Sequence, residues 1–417
     1  MKTFTKANIL IPKNKNLEKW CVVACDQYTK EPEYWNEVEK IVGEEPSTLR
    51  LTLPEIYLED EDVQARITKI NETMYEYLNK NIFNTLEDSM LYIERTTLDG
   101  KVRKGLIGKI DLEDYDYNKG SQTLVRATEK TVIERIPPRM KVRENAPIEL
   151  PHIMLLIDDE NKNIIDNLNE KVKEEDLVYD VNLMQKGGNI KGYKLNDNLI
   201  EDISNKLNIL TNKENFERKY NVKDLGVLLF AVGDGNHSLA TAKATYEKLK
   251  ETNASAEILE KARYALVEVV NLHSDSLEFE PIHRVLFDID VNNFLKELNE
   301  YYNINKSETG QKIHIVTSEL DEDLYINNPK SNLAVGSIGL FIDEYLQKHP
   351  GKIDYIHGDD VTKNLGRRPN CLGILLPKLE KSDLFKTVIL DGALPRKTFS
   401  MGHSYDKRYY LEARKIR

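Results

Sequence analysis

The sequence predicts a mixed α/β (α+β) protein with mixed sheets and flanking helices. Three observations predict it. Continuous apolar runs recur at 152–159, 226–232 and 264–272, the pattern of strands covered on both faces. Stretches with apolar residues at three- and four-residue steps lie between them, the period of half-buried helices. Glycine turns such as Asp99-Gly100 join strand-like pairs into hairpins. Strands alternating with helices and hairpins build layered α/β or α+β folds. The 417 residues are enough for more than one core. The expected division is a core over 1–300 and a second α/β lobe over 301–417.

In chain order, 22–43 reads as a short buried strand, a polar turn and a helix. Val63, Ile67, Ile70, Met74, Tyr77 and Leu78 share one face and predict a helix over 60–80. "MLYIERTTLDGKVRKGLIGKIDL" is two strands about the Asp99-Gly100 turn. After 123–136 the pair Pro137-Pro138 stops any continuing element, and the segment around it reads as a rigid basic loop. "HIMLLIDD" (152–159) is a covered strand ending in two carboxylates. Residues 160–225 are polar and weakly patterned, with a hairpin at Gly187-Gly188. "GVLLFAV" (226–232) is a buried strand, 239–262 is helical with a break near Asn253, and 264–272 is a further strand. The last hundred or so residues repeat this mixed character in "KIHIVTS", "GSIGLFIDEYLQKH" and "CLGILLP".

The formal net charge is −11. It argues against a nucleic-acid surface, which needs a Lys/Arg stripe over phosphates, but leaves room for a local basic pocket. No apolar run approaches the ~18 residues of a membrane span, and the first twenty residues lack a signal-peptide core. A cytoplasmic location is therefore expected. Cys21, Cys25 and Cys371 are too few for a disulfide framework and lack a second zinc-spaced pair.

The segment 230–249, "FAVGDGNHSLATAKATYEKL", holds the strongest chemical signal. A buried strand runs into Gly233-Asp234-Gly235-Asn236-His237, and a helix follows with Leu239, Ala242, Tyr246 and Leu249 on one face. A helix N-terminus presents unpaired N–H groups, and glycine admits an anion to them. The spacing is neither a Walker A loop nor a dinucleotide fingerprint. Asp234 would repel a phosphate unless it holds a Mg²⁺ ion or faces a substrate hydroxyl as its base. Gly235, Asn236, His237 and Ser238 then surround the transferring oxygens. The alternative is an ordinary turn in which Asn236 or Ser238 caps the helix.

This loop belongs to a longer set of blocks: "ACDQYTKEPEYW", "VRATEKTVIERIPPRMKVRENAPIELPHIMLLIDD", "GDGNHSLATAK", "PIHRVL" and "KRYYLEARKI". Together they resemble the bacterial and archaeal family known as domain of unknown function 1015, over nearly the whole chain. That family is grouped with ParB-like proteins, sulfiredoxin and free serine kinases. The resemblance implies a nucleotide or polyphosphate held at the loop, and phosphoryl transfer with free L-serine as the best acceptor. ATP, ADP or pyrophosphate would be the donor and Mg²⁺ the cofactor. The family loop most often reads Asp-Gly-His-His-Arg. Here Asn236 and Ser238 replace its first histidine and its arginine, so another cation must meet the phosphate.

Candidate cations are Arg126 and Lys130 on one face of "VRATEKT", Arg139 (with Arg135, Lys141 and Arg143) in "RIPPRMKVR", and Arg284 after Pro281. Each has a structural alternative as a solvated or ion-paired side chain. Asp26 and Glu129 are candidate substrate contacts, Asp26 for an amino group. Asp158 and Asp159 either bind Mg²⁺ or begin a loop or cap a helix. The expected partners are a small-molecule substrate and its phosphate donor, with no nucleic acid and no membrane, and a homodimer is left open. The readings that compete with an enzyme are a nucleotide-sensing binding protein and, using water as acceptor, a nucleotide or phosphoester hydrolase.

Overall fold

The apolar runs at 154–157, 230–232 and 264–271 lie side by side in one sheet of a computed structural model, which describes residues 2–13, 16–131 and 136–417. Arg135, one of the candidate cations, lies outside the described residues. The fold is mixed α/β. The chain divides into two compact units, Met1–Leu277 with His403–Arg417, and Glu278–Gly402. The division falls upstream of residue 300, which lies inside the helix Val291–Tyr302, and the C-terminal tail returns to the first unit.

In the first unit the large sheet runs Leu177–Leu183, Gly188–Lys194, Leu91–Thr96, Val102–Asp111, Tyr264–Asn271, Met154–Ile157, Phe230–Asp234, Val125–Ala127 and Tyr115–Asp116, with Phe4–Thr5 paired along Val102–Asp111. Met154–Ile157 is parallel to Tyr264–Asn271 but antiparallel to Phe230–Asp234. Successive side chains of a strand point to opposite faces. Leu266 accordingly enters the core with Trp20, Val38 and Ile70, while its neighbour Val267 enters the core with Leu155, Phe230 and Leu239. Both faces are covered, which is why these strands read as unbroken apolar runs.

Several expectations need correction. The strand at 22–24 is only an isolated bridge, Val23 to Tyr409. The basic segment after residue 135 is a helix, Ile136–Arg143, rather than a loop. Its two prolines occupy the first turn, where a missing N–H costs nothing because no intrahelical acceptor exists there. Residues 160–225 are better ordered than their polarity suggested: after the hairpin come two helices, Asp197–Leu210 and Lys213–Tyr220. Each is capped by an asparagine, Asn196 accepting from Leu199 N and Asn212 from Asn215 N.

The second unit is built on an antiparallel sheet ordered Asp321–Ile326, Gln311–Val316, Leu372–Leu375, Phe279–Phe287 and Lys352–His357. Phe294, Ile338, Phe341 and Ile374 form its core.

The C-terminal tail is locked into the first unit by buried charge. Arg408 donates to Glu268 (2.8 Å) and to Glu412 (2.5 Å), and Arg103 reaches the other Glu268 oxygen at 3.3 Å. Burial pushes the Glu268 carboxyl up, but the charges of Arg103, Arg408 and Arg95 outweigh it and hold the group below the usual carboxylate range. Arg95 donates to the carbonyls of Lys407 and Tyr405, and Arg103 to that of Asp406. Three successive carbonyls of the tail are thus gripped from below, which sets where Lys407 projects.

Candidate functional site

The strand Phe230–Asp234 ends in the loop identified from sequence. Gly233 is still in the strand, and a Cβ there would meet Leu156 Cγ at 2.8 Å. Gly235 adopts φ 78°, and a Cβ would approach the Ile153 backbone at 3.0 Å. Both glycines are therefore required by geometry. The helix Asn236–Lys250 follows, with Gly235 as its N-cap and no side-chain cap. Leu239, Ala242 and Tyr246 bury its inner face as the sequence pattern indicates.

Asp234 accepts from Gly235 N at 2.9 Å and pairs with Lys407 Nζ at 3.2 Å. Asn236 turns to the neighbouring chain: its Oδ1 accepts from Thr128 N (3.2 Å), and its Nδ2 donates weakly to Thr128 Oγ1 (3.4 Å). It is a joint between the loop and the segment after Val125–Ala127. Ser238 is not a cap. Its hydroxyl lies 3.3 Å from His152 Nε2. His152 Nδ1 is 2.8 Å from the Tyr410 hydroxyl, which accepts from Cys25 N at 3.1 Å. His152 Nε2 also lies 3.6 Å from Asp26 Oδ2. His237 is half-buried, and its carbonyl accepts from Thr241 Oγ1 at 2.7 Å.

Burial pushes the Asp26 carboxyl up, but His152, a hydrogen bond from Gln27 and the charge of Lys407 hold it below its ordinary value. Asp26 is thus an ionised acceptor with its side chain 29% exposed. A cavity of about 150 Å³ opens beside these groups. Ser238, His152, Tyr410 and Arg139 form part of its polar wall, and Leu53, Met74 and Val142 part of its apolar wall.

The structure brings Asp26 and Ser238 to His152 and Asp234 to Lys407, while Asn236 bonds Thr128 instead; Arg139 reaches the cavity, where it pairs with Glu55. Glu129 is half-buried and Lys130 exposed, one and two residues past Thr128. Arg126 is not brought to the loop. Its guanidinium bonds the carbonyls of Thr123, Gly226 and Val227, which precede the two strands that the loop follows. Burial alone lowers its pKa to about 10. Arg284 lies in the second unit, bonded to the carbonyls of Ile282 and Arg396 and placed over the Tyr355 ring at 4.7 Å.

Sequence reasoning missed His152, Tyr410 and Lys407. The signal for His152 was its place at the head of an apolar strand. Because that strand is antiparallel to Phe230–Asp234, with Met154 opposite Asp234, residue 152 falls beside the loop. Tyr410 and Lys407 sit more than 150 residues from the loop in sequence and had no local signal.

For a divalent cation, Asp234 offers a partly exposed carboxylate at the glycine loop, an oxygen donor of the kind Mg²⁺ uses, with Lys407 Nζ 3.2 Å away. Among the described residues, one group of ligand atoms converges within 4.8 Å: Asp158, Glu160 and His273. It fits Mg²⁺ poorly, because a histidine nitrogen is a soft donor for that ion. Lys219 Nζ already stands at 2.9 Å from Asp158 and 3.1 Å from Glu160. Asp159 serves its loop instead, accepting from Ile164 N at 2.8 Å.

Comparison with solved structures gives distant likenesses. A conserved hypothetical protein from Pyrococcus furiosus is 10% identical, with 76% of this chain and 97% of that one covered and a TM-score of 0.36. A free serine kinase in complex with AMP is 11% identical, covering 77% and 95%, with a TM-score of 0.38. SbnI with a C-terminal truncation, from Staphylococcus aureus, is 8% identical, covering 71% and 82%, with a TM-score of 0.37. A search of curated proteins found no match. The family model described as "Protein of unknown function (DUF1015)" matches residues 7–344, and the chain belongs to that family.

Proposed function

We propose that the chain is a Mg²⁺-dependent phosphotransferase acting on a small hydroxylated metabolite, with free L-serine as the leading acceptor and ATP, ADP or pyrophosphate as donor. The observation that carries this reading is the Asp234–Lys407 pair, at 3.2 Å, on an uncapped helix N-terminus beside a cavity. The N–H groups at Gly235–Ser238 bind the donor's phosphate oxygens. Lys407 supplies the cation that the family loop more often takes from an arginine. Asp234 holds the metal, which when bound neutralises charge on the phosphate oxygens. Asp26, ionised and partly open, pairs with the acceptor's ammonium. His152 and Ser238 fix the wall between them.

In the transfer, the acceptor hydroxyl forms the new O–P bond while the donor's bridging P–O bond breaks. Its proton passes to a carboxylate of the site, and the donor leaves one phosphate shorter. The test is purified protein with Mg²⁺, L-serine and each donor in turn, followed by detection of O-phosphoserine. Product that disappears on chelation is expected. No phosphoserine with any donor overturns the serine assignment. Phosphate release without acceptor would assign a hydrolase, and nucleotide binding with no product a sensor.

A further inference from the structure

A second cleft of about 260 Å³ lies elsewhere in the first unit, walled by the strands Ala7–Pro12 and Phe83–Ser89 and by Tyr264 and Lys415. We infer that it is a phosphate-binding site, separate from the Asp234 loop, with Lys109 as its principal contact and Lys415 as its second cation.

The inference rests on how the charges are spent. Lys6 pairs with Asp88 at 2.5 Å, Lys261 with Glu257 at 2.6 Å, and Arg414 with Glu149 at 2.7 Å. Lys109 is half-buried on the strand Val102–Asp111, and among the described residues it makes no ion pair. Its ammonium lies over the Tyr264 ring, 4.1 Å from the centroid. A ring face compensates a cation far less than an anion does. Two further carboxylates line the cleft, Glu87 and Glu260; both are exposed, and Glu260 is bonded to the Tyr264 hydroxyl. Burial and the neighbouring Arg414 push the Lys109 pKa below its ordinary value, and the charges of Glu260, Asp88 and Asp111 only partly oppose them, so an incoming anion is favoured at this position. With Lys415 also lining the cleft, two ammonium groups match the two charges of a phosphate dianion better than a single carboxylate does. The volume exceeds that of phosphate, so a phosphomonoester fits as well as the free ion. The inference does not depend on the function proposed for the loop.

The experiment is NMR observation of the lysine side-chain resonances of the full chain during titration with inorganic phosphate, glycerol phosphate and acetate. The Lys109 signal is expected to shift with either phosphate and little with acetate. Lys109→Met should weaken phosphate binding at this cleft at least about tenfold, Lys109→Arg should retain it, and Lys407→Met should leave the Lys109 shift intact. Tighter binding of glycerol phosphate would identify a phosphomonoester site, and equal binding a free-phosphate site. No Lys109 shift at millimolar phosphate, an equal response to acetate, or unchanged affinity in Lys109→Met overturns the inference.

Discussion

The antiparallel strands Met154–Ile157 and Phe230–Asp234 carry a cluster of acid, histidine and lysine near each end, and the two clusters differ in how fully their bonds are used. At the far end Asp158 is closed. One oxygen meets His273 Nε2 at 2.6 Å, and the other meets Tyr220 and Lys219. Its backbone carbonyl also accepts from Lys219, and its side chain is 7% exposed. At the loop end the contacts are longer, 3.2 Å for Asp234 to Lys407 and 3.6 Å for Asp26 to His152, and His152 and Ser238 line a cavity. A saturated cluster lowers the energy of the fold and leaves nothing for a ligand. An unsaturated one costs stability unless a ligand completes it. The same residue types are therefore saturated by one another at one end and less so at the other, where the proposed function places its chemistry.

The largest expected effect tests the closed end. Asp158→Ala leaves Tyr220 and His273 without their acceptor and should cost about 3 kcal/mol of stability, read by urea unfolding, with ligand binding at the loop unchanged. Loss of binding without loss of stability would invert the comparison. Next, Asp234→Asn should lower phosphotransfer at least roughly hundredfold, about 2.7 kcal/mol of transition-state stabilisation. Its pair with Lys407 is only partly buried, so the melting temperature should move little. An unfolded Asp234→Asn protein would show that this end is structural too.

Lys407→Met should weaken binding of the phosphate donor roughly tenfold, equivalent to about 1.4 kcal/mol, and should flatten the salt dependence of binding seen by calorimetry. Unchanged affinity would remove Lys407 from the site. The smallest effect is on acid stability. The Asp158 carboxyl is pushed up by burial but pulled further down by His273, Tyr220 and Lys219, so its folded pKa lies below its ordinary value. Its contribution is complete above the unfolded pKa of about 4 and is lost as pH falls through the folded value. Acid unfolding followed by circular dichroism should therefore begin below about pH 4, and Asp158→Ala should make that limb shallower.

Much of the fold was legible because burial on both faces leaves unbroken apolar runs, as at 154–157 and 264–271. The helices at 197–210 and 213–220 were not read, although Ile200, Ile203 and Leu207 lie at helical spacing, because their polar residues dominate the segment. Pro137-Pro138 read as a break because sequence alone does not distinguish a helix's first turn from its interior. Of the site, Asp26, Asp234 and Ser238 carried local signals: glycines, a strand end, a turn. Arg126 carried one too, yet its guanidinium is spent on backbone carbonyls at the other end of the strands.

The sequence by itself determined the strand–glycine–helix loop. Gly233 and Gly235 permit a turn that other residues do not, and the apolar stripe after Ser238 anchors the helix. Only the tertiary structure decided which groups face that loop. Strand antiparallelism delivers His152, and buried arginines holding the carbonyls at 405–407 deliver Lys407. Local signals arise from local conformational cost. The pairing of distant segments is set by the packing of the whole unit, which no short stretch of sequence encodes.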